Sequence, residues 1–442
     1  MPRLPIPGGD ESHWGDILND YLEQIHTPIG GLKANTVNTA QLANGSITAE
    51  KLAAATAPTT GQQLTYNGTA LHWQTPTTPA TPEVIPTDAQ IIVASDAPAS
   101  WQALKATKAT GTNDHLTLQT AINNGPVLLS PGTFFLNGPI SVNTPNPHVF
   151  GSGWSTRLYI VGGSNTWAFE FEPQAGYGVR GYFAQFQIDG NSANQTDGGG
   201  IHASGAVQTE FHFIHFRNCY NAGLWLDGFA DNSFGHHNKV TSCLFDGEVP
   251  ATGLARGLLI ENSDENYIRS EFQFLGGSAG QTYAVRDTSG LNIYDGSVFV
   301  GGRNNMGGIE LRNGSRSQVH GCMFDGVSGH SIFVAASTAH IITANTFTSV
   351  ADQATTNGAF SGIYLEFGAQ QCIITNNLLE TSPTANKTHS LIREDAMGDS
   401  GSNIISQNML RQVNAGTPSA GFMQLNGTGS HVSVNGINGV IS

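Results

Sequence analysis

Acidic side chains recur at one place in a series of short apolar segments along this chain. Each segment opens on Gly-Ile, Gly-Leu, Ser-Ile or Ser-Leu. Three residues beyond the Ile or Leu, one column reads Ser204, Asp227, Glu261, Tyr294, Arg312, Ala335, Glu366 and Glu394. Two residues before it, a second column reads His202, Trp225, Leu259, Asn292, Glu310, Phe333, Tyr364 and Ile392. If successive segments stack, Asp227 and Glu261 stand about 5 Å apart, the separation of the two carboxyls in a retaining glycosidase. Like charges that close raise one pKa and supply an acid at neutral pH. Glu310, two segments beyond Glu261 and in the neighbouring column, has nearer the separation of an inverting pair. Glu366 over Glu394 is an alternative pair. Trp225, Tyr294 and Tyr364 offer flat apolar faces with polar edges on which sugar rings stack, and Arg312 and Glu366 are candidate polar contacts beside them. Solvated carboxylates on an exposed sheet would look the same in sequence.

Positioning such columns requires a repeat. From Phe186 to Leu410 a bulky apolar residue closes each short β-type run: Phe186, Phe216, Phe245, Phe274, Phe299, Phe324, Phe347, Leu379 and Leu410, at spacings of 23–32 residues. Self-similarity at that period means stacked supersecondary units. Five residues before this position sit Phe211, Val240, Val319, Ile342, Ile374 and Ile405, and two before it sit Cys243, Cys322, Asn345, Asn377 and Asn408. The runs are short, β-branched or aromatic, and broken by Gly, Asn and Ser, which excludes a helical solenoid. Each coil therefore supplies at least two strands, and each strand pairs with its own copy in the next coil. The expected fold is all-β, a parallel β-helix of about ten coils.

Composition agrees. The 442 residues include 54 glycines and only 12% charged side chains, as a turn-rich β protein would. A net charge of −15 argues against nucleic acid as a partner and disfavours acidic membranes, while leaving acidic polysaccharides free to bind in local basic clefts. No run of eighteen apolar residues exists, so membrane insertion is not expected. Met1 to Leu4 carries no apolar core of a secretory signal. Cys219, Cys243, Cys322 and Cys372 read as buried free thiols, since Cys243 and Cys322 share a column but lie three coils, roughly 14 Å, apart. Asp246 and Asp325 read as turn formers, and His236-His237 near Asp231 as a polar loop; no zinc spacing or nucleophile elbow is present, and no metal or cofactor is expected.

Ahead of the repeat lie three further regions. Residues 1–34 hold an amphipathic helix with Trp14, Ile17, Leu18, Tyr21, Leu22 and Ile25 on one face, read as an attachment peptide that docks or self-associates, the alternative being a local cap packed on its own chain. Residues 35–82 combine a five-residue repeat (Val37, Leu42, Ile47, Leu52), a hairpin turning at Asn67-Gly68 and a Pro/Thr linker. Residues 83–125 carry a strand at Ile91-Ile92-Val93, a short helix from Ala99 and a second helix over Leu118, Ala121 and Ile122, placed to cover the open end of a β-helix that occupies 126–442.

Gly111 to Asp114, the helix ending Ala121-Ile122, Pro131-Gly132-Thr133-Phe134 and Gly151-Ser152-Gly153 resemble the lead-in of the pectate-lyase-like right-handed β-helix superfamily. Ala94 to Ala99 is similar to the segment before it in β-helix proteins of phages of Gram-positive bacteria. Ile47 to Leu52 and the Gly61 to Trp73 hairpin resemble linkers of phage tail fibres and tailspikes. Together these cover about nine-tenths of the chain. The resemblance implies a right-handed helix assembled as a homotrimer. It implies a tail or baseplate protein docked on residues 1–34, a virion tail location, and a bacterial cell-surface polysaccharide bound on the outer wall. Three functions follow from it: a tailspike that binds and hydrolyses the glycan, a receptor-binding tail protein or adhesin without chemistry, and a bacterial polysaccharide lyase or hydrolase outside a virion. The motifs of polygalacturonase-type hydrolases are missing apart from Asn262-Ser263-Asp264, so that mechanism is not carried over. A lyase would need a cation to neutralise the uronate and a base, for which Arg269, Arg303 and Arg312 are available.

Overall fold

The structure, a computed structural model, describes residues 63–66, 71–74 and 89–438 apart from short segments, the longest being 173–177, 229–234, 248–252, 277–281 and 396–401. The amphipathic helix from Trp14, the five-residue repeat and Arg303 lie outside the described residues. The chain divides into two compact units, Met1–Ala80 and Thr81–Ser442. In the first, Gln63–Tyr66 pairs antiparallel with Leu71–Gln74, with Tyr66 opposite Leu71, and Asn67-Gly68 lies outside the described residues.

The second unit is a parallel β-helix. Each coil supplies three short strands, for example Gln318–His320, Met323–Asp325 and Ile332–Ala335. The third strand of every coil joins an eleven-stranded sheet running from Ile140–Val142 to Met423–Leu425. The first two strands form the other walls, separated by a sharp corner. There a residue with positive φ (Ser242, Gly296, Gly321, Ala344, Asn376, Gln407) precedes an inward thiol, hydroxyl or amide. The inward side chain is polar because the corner exposes backbone to the interior. Asn377 Nδ2 donates to the Ile342 carbonyl at 3.0 Å, and the Asn377 carbonyl oxygen Oδ1 accepts from Asn345 N and Nδ2, both at 3.0 Å. Asn345, Asn377 and Asn408 thus form a ladder that satisfies buried groups which would otherwise cost about 1–3 kcal/mol each. The four cysteines are buried and free, with burial raising every thiol.

The core is a stack of rings. Phe216, Phe245, Phe272, Phe299, Phe324 and Phe347 lie face to face at 4.7–4.8 Å with interplanar angles of 3–6°. Two rungs differ from the sequence reading. Ile188 pairs with Phe216 in place of Phe186, and Phe272 in place of Phe274, which is 42% exposed. The coil at Tyr267–Gln273 turns its corner with one residue fewer than the coil before it, so the rung moves back. The Gly-Leu starts are explained by these rings. A Cβ on Gly223 would come within 2.7 Å of Phe245 Cδ1, and one on Gly308 within 2.8 Å of Phe324 Cε1.

At the first coil of the β-helix a short α-helix packs against the end strand. Helix His115–Asn124 buries Leu118, Ala121 and Ile122. Its Gln119 and Asn123 take up the free backbone of the end strand: Ser141 N donates to Gln119 Oε1, Asn123 Nδ2 to the Ser141 carbonyl, and Asn143 N to Asn123 Oδ1. Asp114 does not cap this helix through its side chain. Its carboxylate accepts from the backbone of Thr110, Gly111 and Phe135, tying the lead-in loop to strand Gly132–Leu136.

Candidate functional site on the eleven-stranded sheet

In the eleven-stranded sheet, inward residues such as Leu258, Ile260, Ile309 and Leu311 are buried, and the residues between them form columns on the outer face. One column runs Glu170, His202, Trp225, Leu259, Arg286, Glu310, Phe333, Tyr364 and Arg393. Beside it, Ser204, Asp227 and Glu261 follow one another in register, and Arg312 stacks on Ala335 further along. Asp227 and Glu261 are therefore direct neighbours on adjacent coils of one outer face.

Three expectations are corrected. Tyr294 is not on this sheet. It lies in Ile293–Asp295, pairs with Ile268 and Val319, is fully buried, and donates its hydroxyl to Asp287 Oδ2 at 3.0 Å, so no sugar reaches it. Asn292 is buried with it and donates to the same oxygen. The segment that belongs in the column is Tyr283–Asp287; Gly290-Leu291 sits at a corner, where Leu291 has a positive φ. Glu394 faces inward opposite Leu365, fully buried, and accepts from Asn403 Nδ2 and Ser430 Oγ at 2.7 Å. The last described coils begin one residue later than their Ser-Leu start suggests, so Arg393 points outward and the Glu366/Glu394 pair does not form.

Two stretches of the outer face carry chemistry. In the first, Asp227 and Glu261 adjoin an aromatic shelf. Trp225 stacks on His202 at 4.1 Å and 13°, and Trp167 lies 5.9 Å from Trp225. His202 Nε2 is 3.5 Å from Asp227 Oδ2, and its Nδ1 is 3.8 Å from Glu170 Oε1. The second is a cleft of about 430 Å³ lined by Arg256, Arg286, Glu310, Arg312, Glu366 and aromatic side chains. Glu310, 7% exposed, accepts from Arg312 Nε at 2.7 Å and faces Arg286 Nε at 3.5 Å. It is held between two guanidiniums. Tyr283 and Phe333 stack at 5.5 Å as the floor, and the ring of Tyr283 lies where a Cβ on Gly307 would be. Tyr364 is only 7% exposed: Arg393 covers its ring at 4.4 Å and its hydroxyl donates to Asp395. Burial, then that hydrogen bond, pushes its phenol well up. His330, buried under the same rings, is pushed down to about 3 by burial and then Arg393, and stays neutral.

The sequence reading placed Asp227, Glu261, Trp225, Glu310, Arg312, Tyr364 and Glu366 on this face. It missed Arg256, Arg286, Tyr283, His330 and Trp167. The run Tyr283-Ala-Val-Arg-Asp287 alternates as a strand does, and aligning Val285 with Leu258 would have set Arg286 between Leu259 and Glu310. Elsewhere, His237 pairs with Glu265 at 2.8 Å, and Asp231 lies outside the described residues. Among the described residues no group of three or more His, Cys, Asp or Glu is placed to hold a metal ion.

Architecture and exposed wall define a parallel β-helix protein. No protein-family model matches the chain, and no curated protein matches it. Among solved structures, the A-module of a mannuronan C-5 epimerase of Azotobacter vinelandii is similar at 12% identity and a TM-score of 0.50, covering 74% of this chain and 96% of that one. The tailspike of E. coli bacteriophage HK620 aligns at 12% identity and TM-score 0.48, over 78% of this chain and 65% of that one. The enzymatically active domain of tailspike protein 2 of bacteriophage CBA120 aligns at 11% identity and TM-score 0.46, over 83% and 54%. At such identities the likeness is one of fold.

Proposed function

We propose that this protein is a tailspike-type depolymerase that lays a bacterial surface polysaccharide along the outer face of the eleven-stranded sheet and hydrolyses it between Asp227 and Glu261. The observation that carries the reading is the in-register stacking of these two carboxylates on adjacent coils. Strand spacing of about 4.8 Å puts them near the separation a retaining mechanism needs. One carboxyl protonates the glycosidic oxygen while the other attacks the anomeric carbon. Water then releases the glycosyl group with the first acting as base. Trp225 and Trp167 supply ring faces for the sugar, and His202 orients Asp227. The chain acts as a homotrimer in the virion tail, docked through residues 1–34; the tail-fibre-like residues 35–82 support that part of the reading.

A receptor-binding protein without cleavage is the second reading. It is favoured by the aromatic and arginine columns, which offer a binding strip whether or not the carboxylates react. Purified protein incubated with host capsule and wall glycans decides between them. New reducing ends without ultraviolet absorbance from an unsaturated product mark a hydrolase, absorbance marks a lyase, and retention with neither marks a binder. Asp227→Asn and Glu261→Gln should each abolish the reducing ends while leaving thermal unfolding unchanged. Full activity in either variant removes the pair from the mechanism.

A further inference from the structure

We infer that the cleft between Arg256, Arg286 and Arg312 is a subsite for one singly charged oxyanion carried by the glycan, a uronate carboxylate or a phosphodiester. The inference rests on the polysaccharide reading and names the class of polymer. Three guanidiniums and two carboxylates, Glu310 and Glu366, line the cleft. Glu310 is divided between Arg312 and Arg286 at 2.7 and 3.5 Å. One positive charge is left over, in a protein whose net charge is −15. The buried Nε of Arg256 has no hydrogen-bond acceptor, and that of Arg286 has only the 3.5 Å approach of Glu310 Oε2. A buried donor on a charged group without a partner is costly, and an arriving anion supplies one. Burial first, and Arg286 second, press the Arg256 guanidinium toward losing its proton, with Glu310 and Glu261 opposing. An oxyanion between the two arginines would offset their mutual repulsion and hold the charged form.

The cleft's other features fit a sugar acid better than a free small anion. Its volume, about 430 Å³, is within the range of sites for small organic ligands. The stacked Tyr283 and Phe333 give it an apolar wall beside the charges. All three cations are arginines, whose planar fork matches a carboxylate or phosphate by two parallel hydrogen bonds where lysine offers a point charge. Against a net charge of −15, this local excess of positive charge sets the register of the chain on the wall. Arg256 shares its strand with Glu261 but stands at the opposite end, five residues or roughly 16 Å away, while Arg286 and Arg312 lie on the next two coils, roughly 5 and 10 Å on by strand spacing. The subsite and the carboxylate pair would therefore contact one glycan chain at different residues.

The test uses the full chain on an array of bacterial glycans bearing uronates, phosphodiesters or no charge, together with carboxyl-reduced copies of the uronates. Wild-type protein should retain an anionic class. Its affinity should fall roughly tenfold to a hundredfold on carboxyl reduction or in Arg256→Gln. The uronate and phosphodiester arms identify which group is read. Should Arg256→Gln fold poorly, salt titration of the wild type serves instead: anionic glycans should be released by salt and neutral ones not. Retention of neutral glycans alone, or anionic binding indifferent to Arg256→Gln and to salt, overturns the subsite and leaves the polysaccharide reading standing. Retention of nothing overturns both.

Discussion

Asp287 shows how one residue both stabilises the wall and misleads a reader of the sequence. It occupies an inward position, 2% exposed, between outward Arg286 and the corner. Its Oδ2 accepts from Asn292 Nδ2, Tyr294 OH and Ser317 Oγ at 3.0, 3.0 and 3.2 Å, and its Oδ1 from Ser289 N at 3.0 Å. Burial outweighs these donors and raises the carboxyl above the usual aspartate range. The unfolded chain therefore releases this proton at lower pH than the folded one. Across that interval the folded state binds more protons, and stability falls as pH rises. Urea midpoints of wild type and Asp287→Asn, measured from about pH 4 to 8, should diverge. The wild type should lose stability toward neutrality relative to the variant. A difference constant with pH, or of opposite slope, would refute this account. The same network explains Tyr294: its hydroxyl exists to satisfy Asp287, not to meet a sugar.

At the level of the strand, the repeat was legible because each coil must place one large apolar group on the same axis, and Phe245, Phe299, Phe324 and Phe347 announce it at nearly constant spacing. The Gly-Leu starts were legible for a linked reason, since those glycines lie against the Phe rings. What failed was register wherever a corner gained or lost a residue. The shortened corner at Ser270 moved a rung from Phe274 to Phe272. Gly290-Leu291 imitated a strand start that the chain had already used at Ala284-Val285, and so hid Arg286 and exposed Tyr294 on paper. Yet Tyr294 stands five residues before Phe299, the same offset that marks Val319 and Ile342 as inward; that column was the better guide. Because each coil rests only on its neighbours, a gap in the ladder should act locally and strongly. Phe299→Ala removes a ring held between Phe272 and Phe324 and should destabilise by about 3–5 kcal/mol, with Phe299→Leu well below that. Denaturant unfolding measures both. An alanine effect under about 1 kcal/mol would mean that the stack is not what holds the coils together.

At the scale of the whole molecule, one surface is at odds with a lone chain in water. On the walls formed by the first two strands of each coil, Ile293, Ile341, Ile373 and Ile404 share an outward column that only Gln318 interrupts, with Ile293, Ile373 and Ile404 38, 36 and 42% exposed. Met323 and Met409, 40 and 47% exposed, share the next with Val298, Thr346 and Leu378. Apolar columns of this kind mark an interface when they are contiguous. Their period is the strand spacing, which a second copy of the same helix matches along its whole length and an unrelated globular surface does not. The proposed homotrimer buries these columns, leaving the eleven-stranded sheet with its carboxylates and arginines facing outward. Light scattering should then give a mass three times 46.6 kDa. Ile373→Lys combined with Met409→Lys sets cations on the buried stripe and should yield single chains with unchanged β-type circular dichroism. A monomeric wild type would refute the homotrimer, and a trimer indifferent to both lysines would place the subunit contacts elsewhere.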